Sequence, residues 1–393
     1  MKPEPREGGR PEGCRTEASP RYVLGLFSEL LGVGGVQEAG RQTIAAFDAI
    51  ARARGWRTKF LSLNDPRGEH SLSGFANSVS FYGFGRAKLS FTIAAIRGAR
   101  AAGNNSDAIV LAAHPHLAPP AALARLFSPN ARMLIMSHGV EVWQPLAPLR
   151  RRALLRADRV LAPSSYTAEK LATMQGVSKE NIRKLPWPLD ATFRRMAENP
   201  AALPLPPDFP QGRVILTVGR WAAAERYKGV DDLIRATAQL RPRIPDVHLV
   251  AIGSGDDLPR LERLTRELGA GEFVHYLQGL TREQLGASYA RAGVFALPST
   301  GEGFGFVFLE AMAFGKPVVG AAVGGPADLI EHEGNGLLVA PGDLRQLTEA
   351  LARLLEDEAY RAELGGRSRE VVNTQYDFET FTAGLSQILE ECL

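Results

Sequence analysis

Short apolar runs alternate with longer stretches of helical periodicity along most of this chain. Strands are predicted for the apolar runs at residues 22–27, 58–63, 108–113, 132–136, 159–162, 214–218, 247–252, 274–277 and 294–298. Helices are predicted between them, among others at residues 87–102, 230–240 and 306–314. Apolar strands that alternate with helices are typical of parallel sheets covered on both faces. The pattern therefore predicts an α/β protein, and its restart after a proline-rich stretch at residues 199–211 predicts two domains.

One strand-to-helix junction carries candidate chemistry. The strand at 294–298 leads into the segment GEGFGFVFLE, residues 301–310. Glycines let backbone N–H groups approach a ligand, and the helix that follows adds free N–H donors, so the loop suits a phosphate. Glu302 and Glu310 can accept hydrogen bonds from hydroxyls. Each feature alone is commoner as a turn or a solvated face, but together they predict a nucleotide-sugar site.

Length and composition narrow the class of protein. A chain of 393 residues with 45% hydrophobic residues can build two domain cores. The net charge of only +3 does not favour nucleic acid as a partner, and we expect none. Cys14 and Cys392 lack the spacing of metal ligands, and we expect exposed free thiols in a reducing compartment.

The first 20 residues and the hydropathy of the chain indicate where in the cell we expect the protein. Residues 1–20 are rich in Pro, Gly, Glu and Arg, which predicts a disordered tail rather than a signal peptide. No stretch reaches the length of about 18 apolar residues that a membrane span needs. We therefore expect a cytoplasmic protein, whose substrate can still lie at the inner face of the membrane.

The segment LPSTGEGFGFVFLEAMAFGKPVV, residues 297–319, resembles the signature of the retaining glycosyltransferase family 4, also called glycosyl transferases group 1. The resemblance implies the GT-B fold, in which two Rossmann-like domains with parallel sheets face each other across a cleft. It also implies that Glu302 contacts the donor sugar and Glu310 the ribose hydroxyls. Phe304, Gly305 and Phe306 would then offer backbone N–H groups to the sugar and phosphate.

Two cations stand at another strand-to-helix junction. Arg220 follows the strand at 214–218, and Lys228 precedes the helix at 230–240. Such side chains are most often surface charges, but a leaving diphosphate needs this neutralisation. The pair resembles the diphosphate-binding pair of the family, although the stretch between them, residues 221–227, is longer than the commonest pattern.

Three further positions resemble family motifs. Gly34 and Gly35 follow the first strand; they make either a tight turn or the amino-terminal loop that approaches the donor phosphates, and Gln37 stands where many members have glutamate. His138 follows the strand at 132–136. A lone histidine is more often structural, but the family's His-Gly motif implies contact with the donor sugar. Leu280 matches the turn that borders the nucleotide base in relatives.

The resemblance also sets domain bounds. Residues 21–188 are predicted to form the acceptor domain and residues 213–377 the donor domain. Residues 189–212 are the linker, and a hinge near residues 186–212 would close the cleft. The helix at about 378–393 is expected to cross back onto the first domain.

The implied reaction is retaining transfer of a hexose, from a donor of the UDP-glucose or GDP-mannose type, to a hydroxyl of a glycan, glycolipid or small molecule. Arg220 and Lys228 would stabilise the diphosphate, while Glu302 and His138 hold the sugar. No metal and no resident cofactor are expected. Polysaccharide biosynthesis is the pathway class that the family favours. A nucleotide-sugar epimerase of the same fold and a non-catalytic nucleotide-sugar-binding protein are the alternatives.

Two stretches of the first half are candidates for acceptor contact. Residues 64–85 are rich in glycine and aromatic side chains, and they predict either a functional loop or ordinary packing. Residues 148–159 are basic and amphipathic. They predict either a solvated helix face or peripheral contact with an anionic membrane through the side chains of Arg150, Arg151, Arg152 and Arg156.

Overall fold

The computed structural model describes residues 21–75, 78–101 and 108–392. The tail predicted for residues 1–20, with Cys14, lies outside the described residues. The described chain forms two sheets with helices on both faces of each, one sheet in each half of the sequence. The α/β class and the division into two sheet-bearing halves are thus confirmed.

The first sheet has the strand order β3-β4-β2-β1-β5-β6-β7-β8. Its strands are β1 (Tyr22–Phe27), β2 (Arg57–Ser62), β3 (Gly68–Leu72), β4 (Val79–Gly83), β5 (Ala108–Ala112), β6 (Arg132–Met136), β7 (Arg159–Ala162) and β8 (Ile182–Lys184). Its helices are α1 (Gly35–Arg54), α2 (Lys88–Ala101), α3 (Ala118–Arg125), α4 (Pro148–Leu154) and α5 (Ser165–Lys170). Only β3 and β4 pair antiparallel among these strands.

The second sheet is parallel throughout its described strands, with the order β11-β10-β9-β12-β13-β14. Its strands are β9 (Arg213–Val218), β10 (Val247–Ile252), β11 (Val274–Leu277), β12 (Val294–Leu297), β13 (Val318–Ala321) and β14 (Gly336–Val339). The helices of this half are α6 (Ala191–Glu198), α7 (Val230–Leu240), α8 (Leu258–Glu267), α9 (Arg282–Arg291), α10 (Phe306–Ala313), α11 (Pro326–Leu329), α12 (Leu344–Glu356), α13 (Glu358–Gln375) and α14 (Phe378–Cys392).

The strand order fixes where ligands can enter. β1 lies between β2 and β5, and β9 lies between β10 and β12, so the chain direction across each sheet reverses at these central strands. In open α/β sheets the crevice outside the carboxyl ends of the strands at such a reversal is the usual ligand site. All six residues of β1 and all four of β12 are buried, because helices cover both faces. The loops that follow these strands are therefore held by rigid neighbours.

The candidate acceptor loop at residues 64–85 is instead a β-hairpin. β3 and β4 pair with each other, and β4 adds to the edge of the sheet beside β2. Phe81 and Phe84 are buried, and Phe75 lies 6.4 Å from Phe378, between ring centroids. The aromatic residues of this stretch serve packing. Gly and Pro interrupt the alternation of apolar and polar residues in this stretch, and the sequence pattern therefore did not predict β3 and β4.

The helix α14 packs against α1 of the first domain. Leu385 and Leu389 of α14 have no exposed surface, and Cys392 is also buried, so the expectation of an exposed thiol was wrong. Cys392 forms no disulfide in the described part of the chain. Next to the start of α14, the Leu189 N–H donates to the carbonyl oxygen of Tyr376 over 2.8 Å. The residue bounds of the two domains stay a prediction.

Replacing Leu385 by alanine is expected to destabilise the protein by about 2–5 kcal/mol, because a buried leucine leaves both lost apolar contact and a cavity. Thermal unfolding followed by circular dichroism measures the change, with a fall of several degrees in the midpoint as the expected result. Gln387 lies exposed on the same helix, and Gln387→Ala is the control. Equal midpoints for the two variants would contradict the packing of α14 described above.

Candidate active site

The two domains meet where the glycine loop after β12 touches the loop after β6. Gly303 and Gly139 pack backbone against backbone: a Cβ atom on Gly303 would lie only 2.1 Å from the carbonyl oxygen of His138, and one on Gly139 2.3 Å from the Gly303 Cα. The Ser164 hydroxyl donates to the Gly303 carbonyl oxygen over 3.0 Å. Only glycine allows this approach. The two halves of the candidate site are thus fixed relative to each other by the loops themselves.

The glycine loop is also braced from its own domain. The Gly325 N–H donates to the Glu302 carbonyl oxygen over 2.7 Å, and Gly301 lies against the ring of Tyr227. Gly305 adopts the left-handed conformation (φ 106°) and starts α10. In the first turn of this helix the Phe308 N–H donates to the Gly305 carbonyl oxygen over 3.0 Å, whereas the N–H groups of Phe306 and Val307 have no acceptor within the helix. The loop therefore presents backbone donors at the positive end of a helix, as a phosphate site requires.

Phe304 and Phe306 of the glycine loop pack together, and Phe306 faces the predicted amino-terminal glycine pair, Gly34 and Gly35. Phe304 is buried and packs edge-to-face with Phe306, with ring centroids 5.4 Å apart. Gly35 faces the ring of Phe306 across the cleft, at 3.5 Å from the position of a Cβ atom, and Gly34 precedes it as the cap of α1. The amino-terminal glycine pair and the central glycine loop therefore lie on opposite walls of one cleft.

The Lys228 ammonium lies 3.6 Å from a carboxylate oxygen of Glu302, and both side chains are largely shielded from water. Arg220 extends further into solvent and pairs with Glu225, whose other oxygen lies 3.9 Å from the Lys228 nitrogen. The structure thus brings Lys228 and Glu302 together and places Arg220 at the solvent-exposed edge of the cleft. Sequence patterns gave no signal for Glu225, which lies within the segment that lengthens this junction.

His138 is held on three sides. Its Nε2–H donates to the Ala113 carbonyl oxygen over 2.7 Å, so its Nδ1 is the nitrogen left to accept a hydrogen bond. Its ring stacks on Trp187, with centroids 5.6 Å apart, and on His114 at 5.2 Å. The carboxylate of Glu141 accepts a hydrogen bond from the His138 backbone N–H over 2.6 Å. Glu141 therefore fixes the loop.

Glu310 lies inside α10 beneath the glycine loop. Tyr289, which is fully buried, donates its hydroxyl to a Glu310 carboxyl oxygen over 2.7 Å. Loss of water raises the pKa of Glu310 to about 8, against the lowering effects of the Tyr289 hydrogen bond and of the Arg282 charge. Arg282 is itself paired with Asp190, the residue that precedes α6. The sequence analysis missed Tyr289 and Arg282, because neither residue of α9 belongs to a recognisable motif.

The pKa of Glu310 predicts a pH dependence of stability. The folded state holds this proton up to about pH 8, whereas the unfolded chain releases it near its ordinary pKa of about 4.3. The folded state binds more protons in this window, so the free energy of unfolding falls as pH rises through it. We expect Glu310→Gln to gain stability relative to the wild type between about pH 5 and about pH 8.5 in urea unfolding. A stability difference that does not change with pH would contradict the raised pKa.

Leu280 is the last of the predicted site residues. Leu280 is half-buried in the turn after β11, beside the open space around Gly279. No three His, Cys, Asp or Glu side chains come together as a metal site within residues 21–75, 78–101 and 108–392. None of the helices that the structure describes is both long and apolar enough to cross a membrane.

Comparisons with known proteins identify the family. The profile of Glycosyl transferases group 1 matches residues 207–371, and that of Glycosyltransferase Family 4 matches residues 39–193. A GDP-mannose-dependent alpha-(1-6)-phosphatidylinositol monomannoside mannosyltransferase of Mycobacterium tuberculosis is 32% identical over 285 residues, which cover 70% of this chain and 72% of that protein. The chain belongs to glycosyltransferase family 4. The resemblance of residues 297–319 is thereby confirmed.

Other matches to this family 4 glycosyltransferase agree. The corresponding mannosyltransferase of Mycolicibacterium smegmatis is 33% identical, over 66% of this chain and 70% of that protein. Anabaena HepE, solved in complex with UDP, has a TM-score of 0.69 at 19% identity, covering 94% of this chain and 99% of that one. Sucrose-phosphate synthase from Thermosynechococcus elongatus has a TM-score of 0.71 at 24% identity, over 95% and 98%. The likeness to these two structures shows the GT-B fold. Neither the epimerase nor the non-catalytic protein gains support from these relatives.

Proposed function

We propose that this family 4 glycosyltransferase moves mannose from GDP-mannose to a hydroxyl of an inositol-phosphate head group, with retention of the anomeric configuration. The geometry that carries the proposal is the Lys228–Glu302 pair at 3.6 Å, set beside free backbone donors of the glycine loop. The choice of donor and acceptor follows the mycobacterial relatives, which are named for GDP-mannose and for a phosphatidylinositol mannoside. The UDP-glucose type of donor is therefore the less favoured of the two.

In the proposed reaction the bond between the anomeric carbon and the diphosphate oxygen breaks as the acceptor oxygen bonds to that carbon from the same side. The acceptor proton passes to the leaving diphosphate oxygen, so no protein nucleophile is needed. The negative charge that develops on the diphosphate falls between Lys228, Arg220 and the first N–H groups of α10. We propose that these donors replace a metal ion in neutralising it.

The sugar needs groups that accept its hydroxyl protons. Glu302 offers a carboxylate, and its ion pair with Lys228 ties the sugar-binding and phosphate-binding sides together. His138 offers Nδ1, because its Nε2–H is already committed to the Ala113 carbonyl. A histidine fixed in one tautomer between Trp187 and His114 supplies an acceptor without an ordering cost when the donor binds.

A donor panel tests the proposal. GDP-mannose, GDP-glucose and UDP-glucose are compared by thermal shift and by slow release of GDP or UDP in water. The anomeric configuration is read by NMR on the glycoside that forms with an inositol phosphate acceptor. We expect selective stabilisation and release with GDP-mannose, and loss of release in Glu302→Gln. Exposed Glu272 provides the matched control, Glu272→Gln, with unchanged release. Selective turnover of UDP-glucose would overturn the donor, and an inverted product would overturn retention.

A further inference from the structure

The helices α2, α3 and α4 form one continuous layer on the first domain. They cover the same face of the first sheet, since their buried residues share one core cluster, and α3 packs between α2 and α4. The outward side of this layer, here called the α2–α4 surface, exposes large apolar side chains. They are Leu89, Ile93, Leu123, Leu126, Phe127 and Leu149. Leu126 and Phe127 directly follow α3, and Leu149 lies in the first turn of α4. Leu89 is 76% exposed and Leu149 is 69% exposed.

The charges of the same three helices are all positive. Their sequences contain the cations Lys88, Arg97, Arg100, Arg125, Arg150, Arg151 and Arg152, and no aspartate or glutamate. The whole chain, by contrast, has 46 basic and 43 acidic residues. A solvated surface in a chain of balanced charge ordinarily mixes both signs, so the composition of this layer requires another explanation.

Three of these cations make contacts within the protein. Arg125 pairs with Asp158, Arg151 donates to the Gln175 carbonyl oxygen over 2.9 Å, and Arg100 stacks on the ring of Phe127. Four others, namely Lys88, Arg97, Arg150 and Arg152, form no ion pair with a carboxylate of the described chain. These free charges lie on α2 and α4, on either side of the apolar side chains of α3.

We propose that the α2–α4 surface docks on a bilayer that contains anionic phospholipids. Exposed leucines enter the boundary between head groups and acyl chains, and the unpaired cations bind lipid phosphates. Long basic side chains suit this depth because their stems are apolar and their tips reach the head groups. The apolar side chains are spread over three helices rather than lining a groove, which fits a flat lipid surface better than a protein partner.

The position of this surface connects it to the site. Lys88, Leu89, Leu149 and Arg150 lie at the starts of α2 and α4, beside the carboxyl edge of the first sheet where the cleft opens. The 3-10 turn Pro115–Leu117 packs against α4, and the charges of Arg150 and Lys88 act, after burial, to lower the pKa of His116 to about 4. A lipid acceptor could therefore present its head group to the cleft while its chains stay in the bilayer. This part of the inference rests on the proposed glycolipid acceptor.

Vesicle sedimentation of the full chain tests the proposal. Wild-type protein is expected to partition into vesicles of phosphatidylcholine with phosphatidylglycerol, and at least about tenfold less into phosphatidylcholine alone. Added salt should weaken the binding. The double variant Leu89→Ser/Leu149→Ser and the double variant Arg97→Gln/Arg152→Gln should each lower the partition coefficient by roughly tenfold or more.

The second domain supplies matched controls. Leu268→Ser and Arg345→Gln change an exposed leucine and an exposed arginine far from this layer, and both should bind vesicles like the wild type. Thermal midpoints check that every variant folds. Wild-type binding that is absent, or that survives both double variants, overturns the membrane surface. GDP-mannose hydrolysis without vesicles is measured on the same proteins and should be unchanged; its absence in the wild type would count against the proposed function and leave the membrane result standing.

Discussion

Replacing Lys228 by methionine is expected to lower the rate of sugar transfer by about a hundredfold or more. The ammonium lies beside Glu302 and near Glu225, in a place where water is scarce. A single preorganised donor that meets developing charge typically contributes about 3 kcal/mol to the transition state, which corresponds to a factor of about a hundred. Methionine keeps the length of the stem while removing the charge, so packing against Gly219 is largely preserved.

The measurement is kcat and KM for GDP-mannose with a saturating acceptor. Lys179, an exposed lysine of the first domain, gives the control Lys179→Met, with kcat within about twofold of the wild type. A loss confined to KM in the Lys228 variant would mean that this lysine binds ground state and transition state equally. That outcome would remove Lys228 from the catalytic groups while leaving it in the binding site.

Replacing Gly303 by alanine is expected to reduce transfer by about a hundredfold through geometry alone. The added methyl group would lie 2.1 Å from the His138 carbonyl oxygen and 2.7 Å from the Gly139 Cα, and both are backbone atoms that have no rotamer to change. Either the loops shift or the domains part. A misplacement of about 1 Å at reacting groups can cost about a hundredfold in rate.

The thermal midpoint and kcat are measured together. Overpacking of this kind costs about 1–3 kcal/mol, so the variant should still fold. Gly366 in α13 has nothing within 4 Å of an added Cβ, and Gly366→Ala should be slightly stabilising with normal kcat, because alanine favours the helix by about 0.5–1 kcal/mol. Normal transfer by Gly303→Ala would show that the close approach of the two loops is not required for catalysis.

The regular elements were predictable because their signals are local. The apolar runs gave β6, β10 and β11 with the bounds that the structure has, and a local capping box of Thr281 and Gln284 starts α9. The hairpin of β3 and β4 was not predictable in this way. Its strands have mixed exposure and become strands by pairing at a sheet edge, a contact that no local pattern records.

For the candidate site, too, the positions of residues were predictable from local sequence, whereas their contacts with distant residues were not. The positions of Glu302 and Lys228 at neighbouring loops follow from parallel strands that end at one edge of a sheet. The partners that set their chemistry come from distant sequence: Glu310 takes its hydrogen bond from Tyr289, and Gly303 from Ser164 in the other domain. A single sequence does not show such pairs, because Tyr289 and Ser164 belong to no motif that marks them: the first lies within α9 and the second caps α5.

The bond between Leu189 and Tyr376 has a mechanical consequence. The chain passes between its halves once just after Leu189 and again just before α14, and this bond holds the two passages side by side. A body attached at one point can swivel in every direction, whereas two adjacent attachments leave one easy rotation, about the short line through both. If the halves part to admit a donor, we expect them to return along a single arc to the backbone contact between Gly303 and Gly139. Twisting, which would misdirect an attacking hydroxyl, is opposed by the two chain passages and by the hydrogen bond between them.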